Sequence, residues 1–146
     1  MAKVKRAAWS KNPSSKKSPR GAEKVTPIEN QPIVWRVGVL DKDGPWSWES
    51  TSLAESWVEM HSKMKDLESM TFGGVMKAGS HPIPCSRLIP DAQKRLREIN
   101  QNDLDELFSL RLSGKQRIWG IRDRNVFKIL WWDPNHEVCP SQKKHT

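Results

Sequence analysis

The stretch 116-QRIWGIRDRNVFKILWWDPNHEVCP-140 decides the fold. Residues 116–123 and 125–132 are rich in β-branched and aromatic side chains and are split by Asp123-Arg124-Asn125. That pattern predicts two antiparallel strands joined by a tight turn. Alternation places Arg117, Trp119 and Ile121 on one face of the first strand, with Ile118, Gly120 and Arg122 on the other. In the second strand Phe127, Ile129 and Trp131 are the expected core face, and Lys128 and Trp132 the open one. Asp133-Pro134 suits a type I turn, after which 136-HEVCP-140 is expected to be a last strand.

Working outward, 33-IVWRVGVL-40 and 46-WSWES-50 are expected to form a hairpin about 41-DKDGPW-46. Thr51 or Ser52, with Glu55, makes a capping box for a helix over 53–70. Its apolar stripe is Leu53, Trp57, Met60, Met64 and Leu67, with His61 beside it as a surface histidine. Residues 71–88, with three glycines and two prolines, read as a loop; their Gly-Gly pair lacks the Lys-Ser/Thr of a P-loop. His81 precedes Pro82, which favours extended backbone. Pro90-Asp91 opens a helix over 90–99, and the acidic start of 103-DLDELFSLRL-112 suggests another. The fold class is therefore α+β: an antiparallel C-terminal sheet with two or three helices on one face, spanning residues 31–146 as one domain. Residues 1–30, rich in Lys, Ser and Pro, are expected to be a disordered basic tail.

Charge is unevenly spread within the net +8. Residues 1–30 carry eight Lys/Arg against two Glu, a net of +6; residues 31–110 carry nine against twelve, a net of −3; residues 111–146 carry eight against three, a net of +5. Both basic ends suit phosphate backbones. No apolar run is long enough to span a membrane, and residues 1–21 lack the apolar stretch of a secretory signal, so none is expected there. Cys85 and Cys139 fit no zinc pattern and read as reduced thiols of a cytoplasmic protein. No Ser-His-Asp or Cys-His arrangement has a local signature. Asp103, Asp105, Asp133 and Glu137 have generic spacing, so no metal or cofactor is expected. Lys128, Trp132 and one of the arginines on an uncovered face would offer RNA cations and a stacking ring. The competing reading is structural: the tryptophans as core, His136 bonded to a turn carbonyl, and Glu137 paired with a cross-strand arginine.

The string 104-LDELFSLRLSGKQRIWGIRDRNVFKILWWDPNHEVCPSQKKHT-146 resembles a family of small phage and mobile-element proteins. It is more distantly similar to RelE/ParE/HigB-type toxins, whose Leu-x-Gly-x-x-Arg-hydrophobic lead into the sheet resembles 112-LSGKQRIWGIR-122. The likeness covers roughly residues 85–146. It implies metal-free cleavage of ribosome-bound mRNA, with the ribose 2′-OH attacking the adjacent phosphate. By this resemblance Arg117 or Arg122, with Lys128, would hold phosphate, and His136 with Glu137 would exchange protons. His145 is similar to a catalytic His-Tyr ending in one branch, although Thr146 follows it and the chain has no tyrosine. Lys115, Arg117, Arg124, Trp132, Lys143 and Lys144 would contact nucleic acid. RNA or the ribosome is then the target, with an antitoxin or host protein as a further partner. The alternative is a non-catalytic module that binds nucleic acid or a host protein through the same basic face.

Overall fold

The order along the chain is β1 (Val34–Arg36), α1 (Thr51–Glu68), α2 (Phe72–Lys77), β2 (His81–Pro84), α3 (Pro90–Glu98), β3 (Glu106–Arg111), β4 (Arg117–Asp123) and β5 (Val126–Asp133). Short 3-10 turns occur at Ile28–Asn30 and Cys85–Arg87. This is a computed structural model; it describes residues 27–49 and 51–141. The strands form one mixed, open, five-stranded sheet in the order β1-β5-β4-β3-β2. Among the described strands only β1 and β5 run parallel. The fold is therefore α+β, with helices on both faces of the sheet rather than one.

The β4–β5 hairpin forms as expected around Arg124-Asn125, and Arg124 takes the positive φ of 58° that closes the turn. Its pairing has one irregularity: Trp119 faces Trp131, yet Gly120 faces Ile129, leaving Leu130 as an extra residue in β5. Such a bulge resets the alternation of side chains. Phe127, Ile129 and Trp132 point into the core under α1 and α2, while Leu130 and Trp131 point into the core under α3. Trp132 is 1% exposed, which corrects its expected place on an open face: both faces of the sheet are covered, and the bulge decides only which core it enters. Gly120 is required at this crossing. A β-carbon there would collide with the Lys128 carbonyl and the Phe127 ring.

Among the described residues the expected 33–50 hairpin does not form. β1 pairs with the start of β5 instead, and the following segment straps the rest of that edge. Asp41 N–H and Trp48 Nε1–H both donate to Leu130 O, and Trp132 N–H donates to Trp46 O. Asp41 is buried and accepts two bonds from Arg95 of α3, at 2.8 and 2.6 Å, and one from Trp131 Nε1 at 2.9 Å. Burial pushes its carboxyl pKa up, but these donors outweigh it and hold the group below the ordinary aspartate value.

Three further expectations are corrected. Residues 72–77 form α2, capped by the Thr71 hydroxyl accepting from Gly74 N–H. Residues 81–84 form β2, an edge strand that tolerates Pro82 and Pro84. Residues 106–111 form β3, because Leu107, Phe108, Ser109 and Leu110 are all buried between two covered faces and leave no alternation to read. Residues 136–140 form no strand. The helices α1 and α3 lie close to their expected bounds, but Trp57 is 50% exposed and only Met60 of the stripe is fully buried. The Thr51/Ser52 cap rests on side chains outside the described residues, as does the expectation for the tail over residues 1–26. Residues 28–30, by contrast, are a defined turn. Among the described residues no helix is long and apolar enough to cross a membrane.

Candidate functional site

Strand direction assembles the site. β2, β3, β4 and β5 alternate in direction, so the first residue of β2, the last of β3, the first of β4 and the last of β5 share one end of the sheet. These are His81, Arg111, Arg117 and Asp133. His81 shares a face with Ile83, Arg111 with Leu107 and Arg117 with Trp119. Those three partners belong to the core under α3, so the charged ends all emerge on that side, beyond the helix. Arg111 and Arg117 are directly opposed across the β3–β4 ladder. Like charges so placed repel each other.

The loop after β5 adds an imidazole. Asp133 is fully buried, and its carboxylate accepts from Trp119 Nε1 at 3.0 Å, Glu137 N–H at 2.8 Å and Val138 N–H at 3.0 Å. These bonds hold the turn 133–138 closed and support His136 at a φ of 58°. That is a left-handed conformation few side chains adopt. Val138 is anchored in the core under α3 and its carbonyl accepts from Ile89 N–H. His136 is thus carried over the ends of the strands.

Together these groups line an open pocket of about 330 Å³, walled by Gly79, His81, Ile83, Arg87, Arg117, His136, Cys139, Pro140 and Ser141. Arg111 stands beside it, against Gly79. The Arg117 guanidinium donates through Nη1 to the carbonyls of Gly114 at 2.7 Å and Gln116 at 3.0 Å, which fixes the head of the side chain. His81 Nδ1 lies 3.3 Å from Gly79 O. The tautomer that donates there leaves Nε2 free. Burial first, then the charge of Arg117, pushes His136 below the usual imidazole pKa against the opposing pull of Asp133; His81 and Arg111 push the same way. Arg117 is itself pushed down by burial and by Arg111. Among the described residues no carboxylate lies within ion-pair distance of Arg87, Arg111 or Arg117. No group of three His, Cys, Asp or Glu among them is placed to hold a metal ion.

The residues singled out from sequence divide into two ends of the sheet. His136 and Arg117 meet in the pocket, with Lys115 exposed in the adjoining turn. Glu137 is exposed and does not line the pocket, so it is not the partner of His136. Lys128 sits five residues before Asp133, which at the rise of a strand is ~16 Å away. Its ammonium lies 3.9 Å from the Asp123 carboxylate. Arg122 is on the opposite face at that far end, its guanidinium 4.4 Å from the Phe72 ring centre and bonded to Arg124 O. Arg124 is in the far turn. The pairing of His136 with Lys128 on one uncovered side is therefore not observed: a strand's length separates them. Lys143, Lys144 and His145 lie outside the described residues.

Sequence reasoning missed His81, Arg87 and Arg111. The available signal was 81-HPIP-84, whose alternating prolines mark an edge strand and give His81 the face of Ile83. Comparison with protein-family models, with curated proteins and with solved structures gives no match for this chain.

Proposed function

We propose that this protein is a metal-independent endoribonuclease, acting in the manner of RelE-type toxins, with its reaction centre in the pocket of His81, Arg117 and His136. The observation that carries this reading is the grouping of two imidazoles with an opposed arginine pair around one opening. Among the described residues the nearest carboxylate, Asp133, is spent on Trp119 and the backbone.

The chemistry assigns one imidazole to each proton. His136 enters neutral and takes the proton of a ribose 2′-OH. The freed oxygen attacks the adjacent phosphorus. Arg111 and Arg117 stabilise the charge that builds on the phosphoryl oxygens. The 5′-oxygen leaves with a proton from His81, giving a 2′,3′-cyclic phosphate and a 5′-hydroxyl. His136 has gained one proton and His81 has given one up; exchange with water returns both to their starting forms, and no redox partner is needed.

The test is incubation with single-stranded RNA in excess chelator. Cleavage to cyclic-phosphate ends, reduced about 10²–10⁴-fold by His136→Ala or His81→Ala, supports the proposal. Intact RNA, or cleavage indifferent to both substitutions, overturns it. The second reading, a non-catalytic module, is favoured by Trp57 and Val58 of α1, which are 50% and 80% exposed. Adjacent apolar groups in solvent suit a protein partner such as an antitoxin or host factor. RNA retention without cleavage would select it. Messenger RNA on the ribosome, in the cytoplasm, is the target this proposal carries.

A further inference from the structure

We infer that the pocket grips two successive phosphates of one strand, so that its substrate is a run of at least three nucleotides, read through the backbone and not the bases. This deepens the reading of the pocket as an RNA site and rests on it.

Charge is the first argument. Arg87, Arg111 and Arg117 contribute three positive charges and Asp133 one negative charge, a net of +2 before either imidazole is protonated. A single phosphodiester carries one negative charge. It would neutralise only one of the two, and a second phosphate that meets a free arginine adds the release of its own counterion. Two phosphodiesters match the site.

Placement is the second. Arg111 and Arg117 are cross-strand partners. They leave backbone positions about 5 Å apart, which makes one floor for one phosphate. Arg87 rises from the 3-10 turn Cys85–Arg87 on another wall, where its carbonyl accepts from Cys139 Sγ–H at 3.6 Å. Its exposed guanidinium has no carboxylate partner among the described residues and is free to meet the next phosphate.

Shape is the third. The opening holds about 330 Å³, and among the described residues no tryptophan or phenylalanine lines it. That is the small end of the range for ligand pockets. Bases therefore find no broad stacking platform there. Sugar and phosphate are what the walls can hold.

The test uses non-cleavable deoxy ligands, so that it stands apart from catalysis. Affinity is measured against salt for a deoxydinucleoside monophosphate, for the same ligand extended by one abasic nucleotide, and for a nucleoside 3′-monophosphate. The extended ligand is expected to bind about tenfold tighter and to steepen the slope of log K against log salt by about 0.7, the value for one more single-strand phosphate. Arg87→Ala, at an exposed position, is expected to erase the difference between the first two ligands, and Arg87→Lys to restore most of it. Equal affinities and slopes for the first two ligands overturn the inference. So does a 3′-monophosphate that matches the extended ligand, since that would mark a strand-end site. If the deoxy pattern holds and the matching ribo-oligonucleotides stay intact, the two-phosphate grip stands and the nuclease reading falls. If none of the ligands binds, the two-phosphate grip falls, and the RNA cleavage assay alone decides the nuclease reading.

Discussion

Two buried aspartates, each receiving a tryptophan Nε1–H, have opposite consequences in this molecule. Asp41 takes Trp131 and also Arg95, so an ion pair closes between the strap after β1 and the helix α3. Asp133 takes Trp119 and two backbone N–H groups, all neutral. The arginines nearest to it, Arg111 and Arg117, are left facing each other and the solvent. A carboxylate satisfied by a guanidinium makes a clasp. A carboxylate satisfied by neutral donors leaves cations over, and that surplus is what a phosphate can use.

The largest expected effect comes from breaking the clasp. Arg95→Ala strands the Asp41 charge in the interior and should destabilise the protein by about 3 kcal/mol, read as a lower midpoint in chemical denaturation. Asp133→Asn comes next. The amide offers one accepting oxygen to three donors and sets its own N–H₂ against the rest, so a loss of about 2 kcal/mol is expected. Cleavage should fall with it, because the turn that carries His136 loosens; an unchanged rate would separate the turn from the site.

The arginine pair should respond with the opposite sign. Arg111→Gln removes a repulsion and is expected to leave stability unchanged or raise it by up to about 1 kcal/mol at low salt, while weakening phosphate binding. A destabilisation comparable with that of Arg95→Ala would show that Arg111 is structural.

The pH responses sharpen the contrast. Asp41 is held below its ordinary pKa. The clasp therefore contributes fully above about pH 4 and is lost as pH falls through its folded value. His136 is also shifted down, but as a base, so the folded state resists its protonation. Stability should decline as pH falls below about 6.5, and inorganic phosphate should flatten that decline by compensating the new charge. The acidic limb of the cleavage profile should likewise have its midpoint below about 6.5. Denaturation between about pH 5 and 7.5, with and without phosphate, reads the first effect; kcat/KM over the same range reads the second.

What was legible in the sequence is what local pattern can encode. The β4–β5 hairpin, α1 and α3 follow from alternation, helical spacing and turn chemistry. β3 was hidden because Leu107–Leu110 are buried on both faces and look as much like a helix as a strand. β1 finds its partner some ninety residues away, which no local feature announces. A single extra residue, Leu130, inverted the faces beyond it and moved Trp132 into the core under α1 and α2, and no open face was left for it on either side. His136 and Arg117 were legible as chemistry on the last strands. Their companions His81 and Arg87 come from a stretch read as loop and Arg111 from one read as helix, and strand order alone unites them.

The central claim is that phosphate engages the end of the sheet at His81, Arg117 and His136 and not the far end at Arg122, Arg124 and Lys128. NMR titration with a non-cleavable single-stranded oligonucleotide tests it directly. The imidazole resonances of His81 and His136 and the Nε–H of Arg117 are expected to shift together, with the Arg122 and Lys128 side chains unmoved. Shifts confined to Arg122, Arg124 and Lys128 would contradict the account.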